Sequence, residues 1–136
     1  MRVSPWVDLT CSGVSYATKA AADPIVLRES VAEMAAMYAG AGDGKAPLVS
    51  PLYRDLRGLP PLLLQVGSDE VLLDEALGLG ERAKVAGKDV TVEEWPAMVH
   101  YVALVSGDAR RRRHGCRHDR PLREESLWQR SLTASC

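Results

Sequence analysis

An α/β architecture of about three parallel strands joined by crossover helices is the fold class this sequence predicts, and three observations predict it. Leu62-Leu63-Leu64-Gln65-Val66 is a continuous apolar run of strand length, the pattern of a strand covered on both faces. Val71 to Ala86 carries Leu72, Glu75, Ala76, Leu79 and Ala83 at the 3.6-residue period of a helix. Val90-Thr91-Val92-Glu93-Glu94-Trp95 then returns to the β-branched composition of a strand. Strand, helix and strand with connections this short form a crossover unit of a parallel sheet.

The remaining elements follow in chain order. Val3, Trp6 and Val7 around Pro5 make a short apolar opening that reads as the end of a strand. Asp8-Leu9-Thr10-Cys11-Ser12-Gly13 has the composition of a turn. Asp23-Pro24 is a helix-start signal, and Ile25 to Tyr38 places Val31, Met34, Ala35 and Tyr38 at helical spacing. Gly40, Gly42 and Gly44 end that helix and open a loop to Pro51. Leu59-Pro60-Pro61 introduces the Leu62 strand, and Gly87 stops the helix that follows it.

Composition divides the chain in two. The first 100 residues hold nine basic and 14 acidic side chains; the remaining 36 hold eight and four. Residues 1–100 therefore read as the folded portion and 101–136 as an Arg-rich aberrant or disordered tail, such as a shifted reading frame would leave. Three cysteines, Cys11, Cys116 and Cys136, are too few and too irregular for a disulfide framework, so a cytoplasmic location is expected. No secretory signal is visible, and no apolar run approaches the roughly 18 residues of a membrane span. The Arg110–Arg113 run lacks aromatic interleaving and a nucleic-acid-binding motif, so no nucleic-acid partner is expected. His114, Cys116 and His118 do not complete the four-ligand spacing of structural zinc, so neither a metal nor another cofactor is expected.

Four segments point to chemistry: Ser4-Pro5-Trp6-Val7-Asp8-Leu9-Thr10, the loop from Ser50-Pro51-Leu52-Tyr53 to Pro61, the acidic motif Gly67-Ser68-Asp69-Glu70-Val71-Leu72-Leu73-Asp74-Glu75, and Met98-Val99-His100. In this order they resemble the C-terminal part of the hormone-sensitive-lipase-like bacterial esterases, α/β-hydrolases in the branch of acetyl esterases, lipases and monoterpene lactone hydrolases. The resemblance covers Met1 to His100, about a third of such an enzyme. It implies a serine ester hydrolase acting on a small ester or lipid substrate, with triad members in the order nucleophile, acid, histidine. Glu70 occupies the acid position by counting forward from Pro60-Pro61 and back from Asp74-Glu75; most members carry Asp there, and Asp69 is the alternative. An acid of this kind accepts a hydrogen bond from the Nδ1–H of a histidine, fixes its tautomer and stabilises the imidazolium. Without the resemblance, an acid placed after a strand is more often a helix cap, and Asp69 could cap the helix starting at Val71.

His100, the only histidine before residue 101, matches the triad base. The nucleophile elbow Gly-x-Ser-x-Gly is absent from these 136 residues: Thr10 and Leu104 stand where Ser12 and Ser106 would need the first glycine. The His-Gly-Gly oxyanion segment is absent too. The chain is therefore expected to be a truncated carboxylic-ester hydrolase, inactive alone. The other reading is a non-catalytic interaction module that completes itself with a partner, either an N-terminal fragment or a second copy. Met34, Met37 and Tyr38 could line an acyl pocket in a complete enzyme, although an ordinary core helix explains them as well. An unpaired edge on the first strand predicts marginal stability.

Overall fold

The computed structural model describes residues 1–100. The expectations placed on residues 101–136, including the Arg110–Arg113 run and the His114, Cys116 and His118 group, lie outside the described residues. The described elements are β1 (Arg2–Val3), α1 (Ser15–Thr18), α2 (Arg28–Ala39), a short 3-10 turn (Pro51–Tyr53), β2 (Leu62–Gly67), α3 (Leu73–Val85) and β3 (Val90–Trp95). The strands form one parallel sheet in the order β1-β2-β3, with Leu64 opposite both Arg2 and Val92.

Helix α3 covers one face of this sheet. Leu79 and Ala83 pack with Leu64, Val7 and Leu56, and Leu62, Val90 and Val92 close the cluster from the strands. Gly80 lets the helix come this close: a Cβ there would lie 2.6 Å from Val92 Cγ2. A glycine inside a helix costs about 1 kcal/mol relative to alanine, and the closer helix–strand contact offsets that cost. β2 is not covered equally on its two sides. Leu64 and Val66 are buried, whereas Leu63 and Gln65 are partly exposed, and Gln65 donates to Glu93 across that second face.

Helix α2 begins at Arg28, three residues after the expected start. Asp23 explains the delay, because its Oδ1 accepts the N–H groups of Ile25 and Val26 at 3.0 and 3.1 Å and holds the chain in a turn. Val31 and Ala35 are buried as expected, but Met34 and Tyr38 are exposed, and so is Met37. Val31 packs with Cys11, Tyr16, Val71 and Leu72 around the entry to α3, not with strand residues. The contact stripe of α2 is thus one side chain wide. The short helix α1 and the 3-10 turn were not foreseen. No helix among the described residues is long and apolar enough to cross a membrane.

The segment leaving β1 is tied to α3 through Glu75. This carboxylate, 2% exposed, accepts Val7 N–H at 2.6 Å and Asp8 N–H at 2.8 Å on one oxygen and Tyr16 O–H at 2.6 Å on the other. Burial pushes its pKa up to about 7 against the pull of those three donors. Tyr16 is pushed up as well, first by its own burial and then by the neighbouring carboxylate. Asp8 folds its own turn by accepting from Thr10 and Ser12. Burial raises the Asp8 carboxyl, but these hydrogen bonds outweigh it and leave the group below its ordinary value.

Two outcomes are expected. Glu75→Ala strands two backbone N–H groups and a tyrosine hydroxyl, and denaturant titration should show a loss of about 3 kcal/mol or more. Glu75→Gln keeps an acceptor for the N–H pair and a donor for Tyr16, so it should lose much less. The pH dependence follows from the raised value: the folded state holds the Glu75 proton more tightly than the unfolded chain does. The Glu75 contribution to stability is therefore fully present below about 4.5 and declines as pH rises to about 7. Wild type measured against Glu75→Gln should lose relative stability across that window.

Candidate active site

The site is assembled where the C-terminal ends of β2 and β3 meet. β2 ends at Gly67 and turns through Ser68 and Asp69 into Glu70; β3 ends at Trp95 and turns through Pro96 and Ala97 toward His100. Three hydrogen bonds lace the two turns together. Ser68 N–H donates to Trp95 O at 2.9 Å, Asp69 N–H to Met98 O at 3.0 Å, and Ala97 N–H to Ser68 Oγ at 2.9 Å. Ala97 takes φ +54° to make the second turn. Gly67 is required for the approach: a Cβ there would sit 2.1 Å from the Met98 carbonyl oxygen.

Glu70 lies inside this junction, 1% exposed. Its Oε1 accepts Gly67 N–H at 2.6 Å and Ser4 O–H at 2.7 Å, and its Oε2 lies 3.2 Å from His100 Nδ1. A carboxylate taken out of water needs donors on its lone pairs, and these three groups supply them. The His100 side chain is 12% exposed, so the pair is largely screened from solvent.

The structure separates the two candidate acids. Glu70 and His100 are brought together; the Asp69 carboxylate instead lies 3.6 Å from Lys19 Nζ on a partly exposed surface. Asp69 does not cap α3 either. That helix starts at Leu73, and its entry is held by other side chains: Asp23 Oδ2 accepts Val71 N–H at 3.1 Å, Ser15 Oγ donates to Val71 O at 2.6 Å, and Ser15 Oγ accepts Asp74 N–H at 3.2 Å. Ser4, Ser15 and Asp23 were not singled out from sequence for these contacts. Glu75 carried one readable signal, a carboxylate on the apolar stripe of its own helix. Cys11 is a buried free thiol, and burial is the main cause that raises its pKa.

This architecture and these motifs have counterparts. Residues 1–104 match the family described as the alpha/beta hydrolase fold. The chain belongs to that family. It is 48% identical over 98 residues to an acetyl-hydrolase of Streptomyces hygroscopicus, covering 72% of this chain and 33% of the relative. It is 36% identical over 100 residues to an esterase of Acinetobacter venetianus, covering 71% and 32%. Among solved structures, an esterase from the bacterial hormone-sensitive lipase family superposes with TM-score 0.71 at 52% identity, over 73% of this chain and 33% of that one. The chain spans about a third of the length of the curated relatives it matches. In sequence and fold this α/β-hydrolase is thus similar to hormone-sensitive-lipase-family esterases.

Gly67→Ala should force the Met98 carbonyl away and open the junction. We expect a loss of about 2 kcal/mol or more in denaturant titration, the range of overpacking at a closed site. Hydrogen exchange should show Asp69 N–H, which donates to that carbonyl, losing its protection.

Proposed function

We propose that this chain carries the acid and the base of a carboxylic-ester hydrolase, Glu70 and His100, and serves a serine nucleophile that these 136 residues do not hold in an elbow. The observation that carries the reading is the contact of Glu70 Oε2 with His100 Nδ1 at 3.2 Å, made by an acid that two further donors hold in place. With Nδ1 facing Glu70, Nε2 is the basic nitrogen of the imidazole. It takes the proton of the serine hydroxyl as that oxygen attacks the ester carbonyl, and returns it to the leaving alcohol. Glu70 stabilises the imidazolium that exists between those two steps. The substrate class is a small ester or lipid ester, as the esterase and acetyl-hydrolase relatives suggest. A buried free thiol at Cys11 agrees with a reducing, cytoplasmic setting.

A chain with the acid and base but no elbow is inactive by this mechanism when tested alone. Activity then needs a complementing segment with a Gly-x-Ser-x-Gly turn and oxyanion-hole N–H groups. One observation also favours the second reading, a non-catalytic module that completes itself with a partner. β1 pairs on one side only among the described residues, and Ile25, Leu27, Met34, Met37 and Tyr38 are exposed near the entry segments. The two readings differ in what the completed complex does.

A p-nitrophenyl ester assay separates them. The 136-residue chain should give no turnover above background. Mixed with the part of the Streptomyces hygroscopicus acetyl-hydrolase that lies outside its matched segment, it should hydrolyse the ester. His100→Ala should then lower kcat by roughly 10⁴-fold or more. Complex formation without hydrolysis would favour the interaction module.

A further inference from the structure

Ser4 stands out twice. It is one of three residues other than glycine at positive φ among the described residues, at φ +44°, and it is 5% exposed. Its N–H donates to Gln65 O at 2.7 Å, which extends the β1–β2 pairing by one bond before Pro5 turns the chain away. Its hydroxyl reaches across to Glu70 Oε1 at 2.7 Å, over a sequence separation of 66 residues. A left-handed backbone at a residue with a side chain is strained and persists only where its surroundings fix it. An alanine could hold the same backbone hydrogen bond and would leave the carboxylate one donor short.

We propose that Ser4 is a positioning residue for the acid–base pair: its hydroxyl and the Gly67 N–H together clamp Glu70 Oε1, which turns Oε2 toward His100 Nδ1. A carboxylate can rotate about its last side-chain bond, and a single donor on Oε1 would leave that rotation open. Two donors converging on one oxygen, one from the residue just after β1 and one from the end of β2, define the carboxylate plane. With Oε1 held in this way, Oε2 is left to accept a hydrogen bond from His100 Nδ1–H. The left-handed φ of Ser4 accompanies a hydroxyl aimed back over the strand end. This inference rests on the reading of Glu70 and His100 as the acid and base.

The test uses the full 136-residue chain labelled with ¹⁵N at histidine. Nuclear magnetic resonance would follow the His100 Nδ1 proton, its position and its exchange with water. In the wild-type chain we expect a downfield Nδ1–H signal that Glu70→Gln abolishes. Ser4→Ala and Ser4→Gly both delete the hydroxyl, and Ser4→Gly also relieves the positive φ. Both should move the signal upfield and speed its exchange by about tenfold, the equivalent of one lost hydrogen bond to a charged group. Ser4→Gly should do so with its backbone strain relieved, which a purely structural role of Ser4 would not produce. A Ser4→Gly chain that keeps the wild-type signal and exchange rate overturns the positioning role while the Glu70–His100 reading stands. A wild-type chain with no Glu70-dependent signal overturns both.

Discussion

Burial of carboxylates at the C-terminal end of the sheet is the constraint from which the rest of this structure follows. Asp8, Asp23, Glu70 and Glu75 are each no more than 2% exposed. An isolated buried charge is too costly to persist, so each must collect donors, and in this chain many of those donors come from distant segments. Glu75 collects the chain leaving β1 and the tyrosine of α1; Asp23 collects the entry to α3; Glu70 collects β1, the end of β2 and His100. The loops are thereby placed by hydrogen bonds of fixed direction. The apolar cluster of Leu64, Leu79 and Ala83 holds the helix on the sheet but carries no such directional information.

The Glu70–His100 pair inherits its geometry from this arrangement. Parallel pairing of β2 with β3 brings both strand ends to one edge, where α/β sheets place their sites. The bonds between Ser68, Asp69, Ala97, Trp95 and Met98 then fix the relative height of the two turns. Close approach at Gly67 permits that height. Glu70 and His100 meet where these bonds bring the two turns together, with the second Glu70 oxygen facing the imidazole.

Much of this was legible in the sequence. The strands at Leu62 and Val90, the helix between them and their parallel relation follow from hydrophobic period and short connections, signals that are local. The placement of Glu70 before His100 was readable through spacing to Pro60-Pro61 and Asp74-Glu75, a match of motifs. The start of α2 was not readable, because the side chain of Asp23 competes for the N–H groups that a helix would otherwise leave unbonded. Nor could Met34 and Tyr38 be told from core residues, since the width of a buried stripe depends on what packs against it. Ser4 and Ser15 act on residues 66 and 56 positions away, contacts that no local pattern encodes. The pairing of Asp69 with Lys19, and its separation from His100, likewise needed the fold.

Glu70, and not its neighbour Asp69, is the acid we propose for the pair. The most direct measurement is the rate of ester hydrolysis by the chain complemented with an elbow-bearing segment, compared between Glu70→Gln and Asp69→Asn. Glu70→Gln should lower kcat by roughly 10⁴-fold, the effect of an acid that no longer fixes the histidine tautomer, and Asp69→Asn should change it by less than about tenfold. A large loss for Asp69→Asn with near-normal turnover for Glu70→Gln would contradict it.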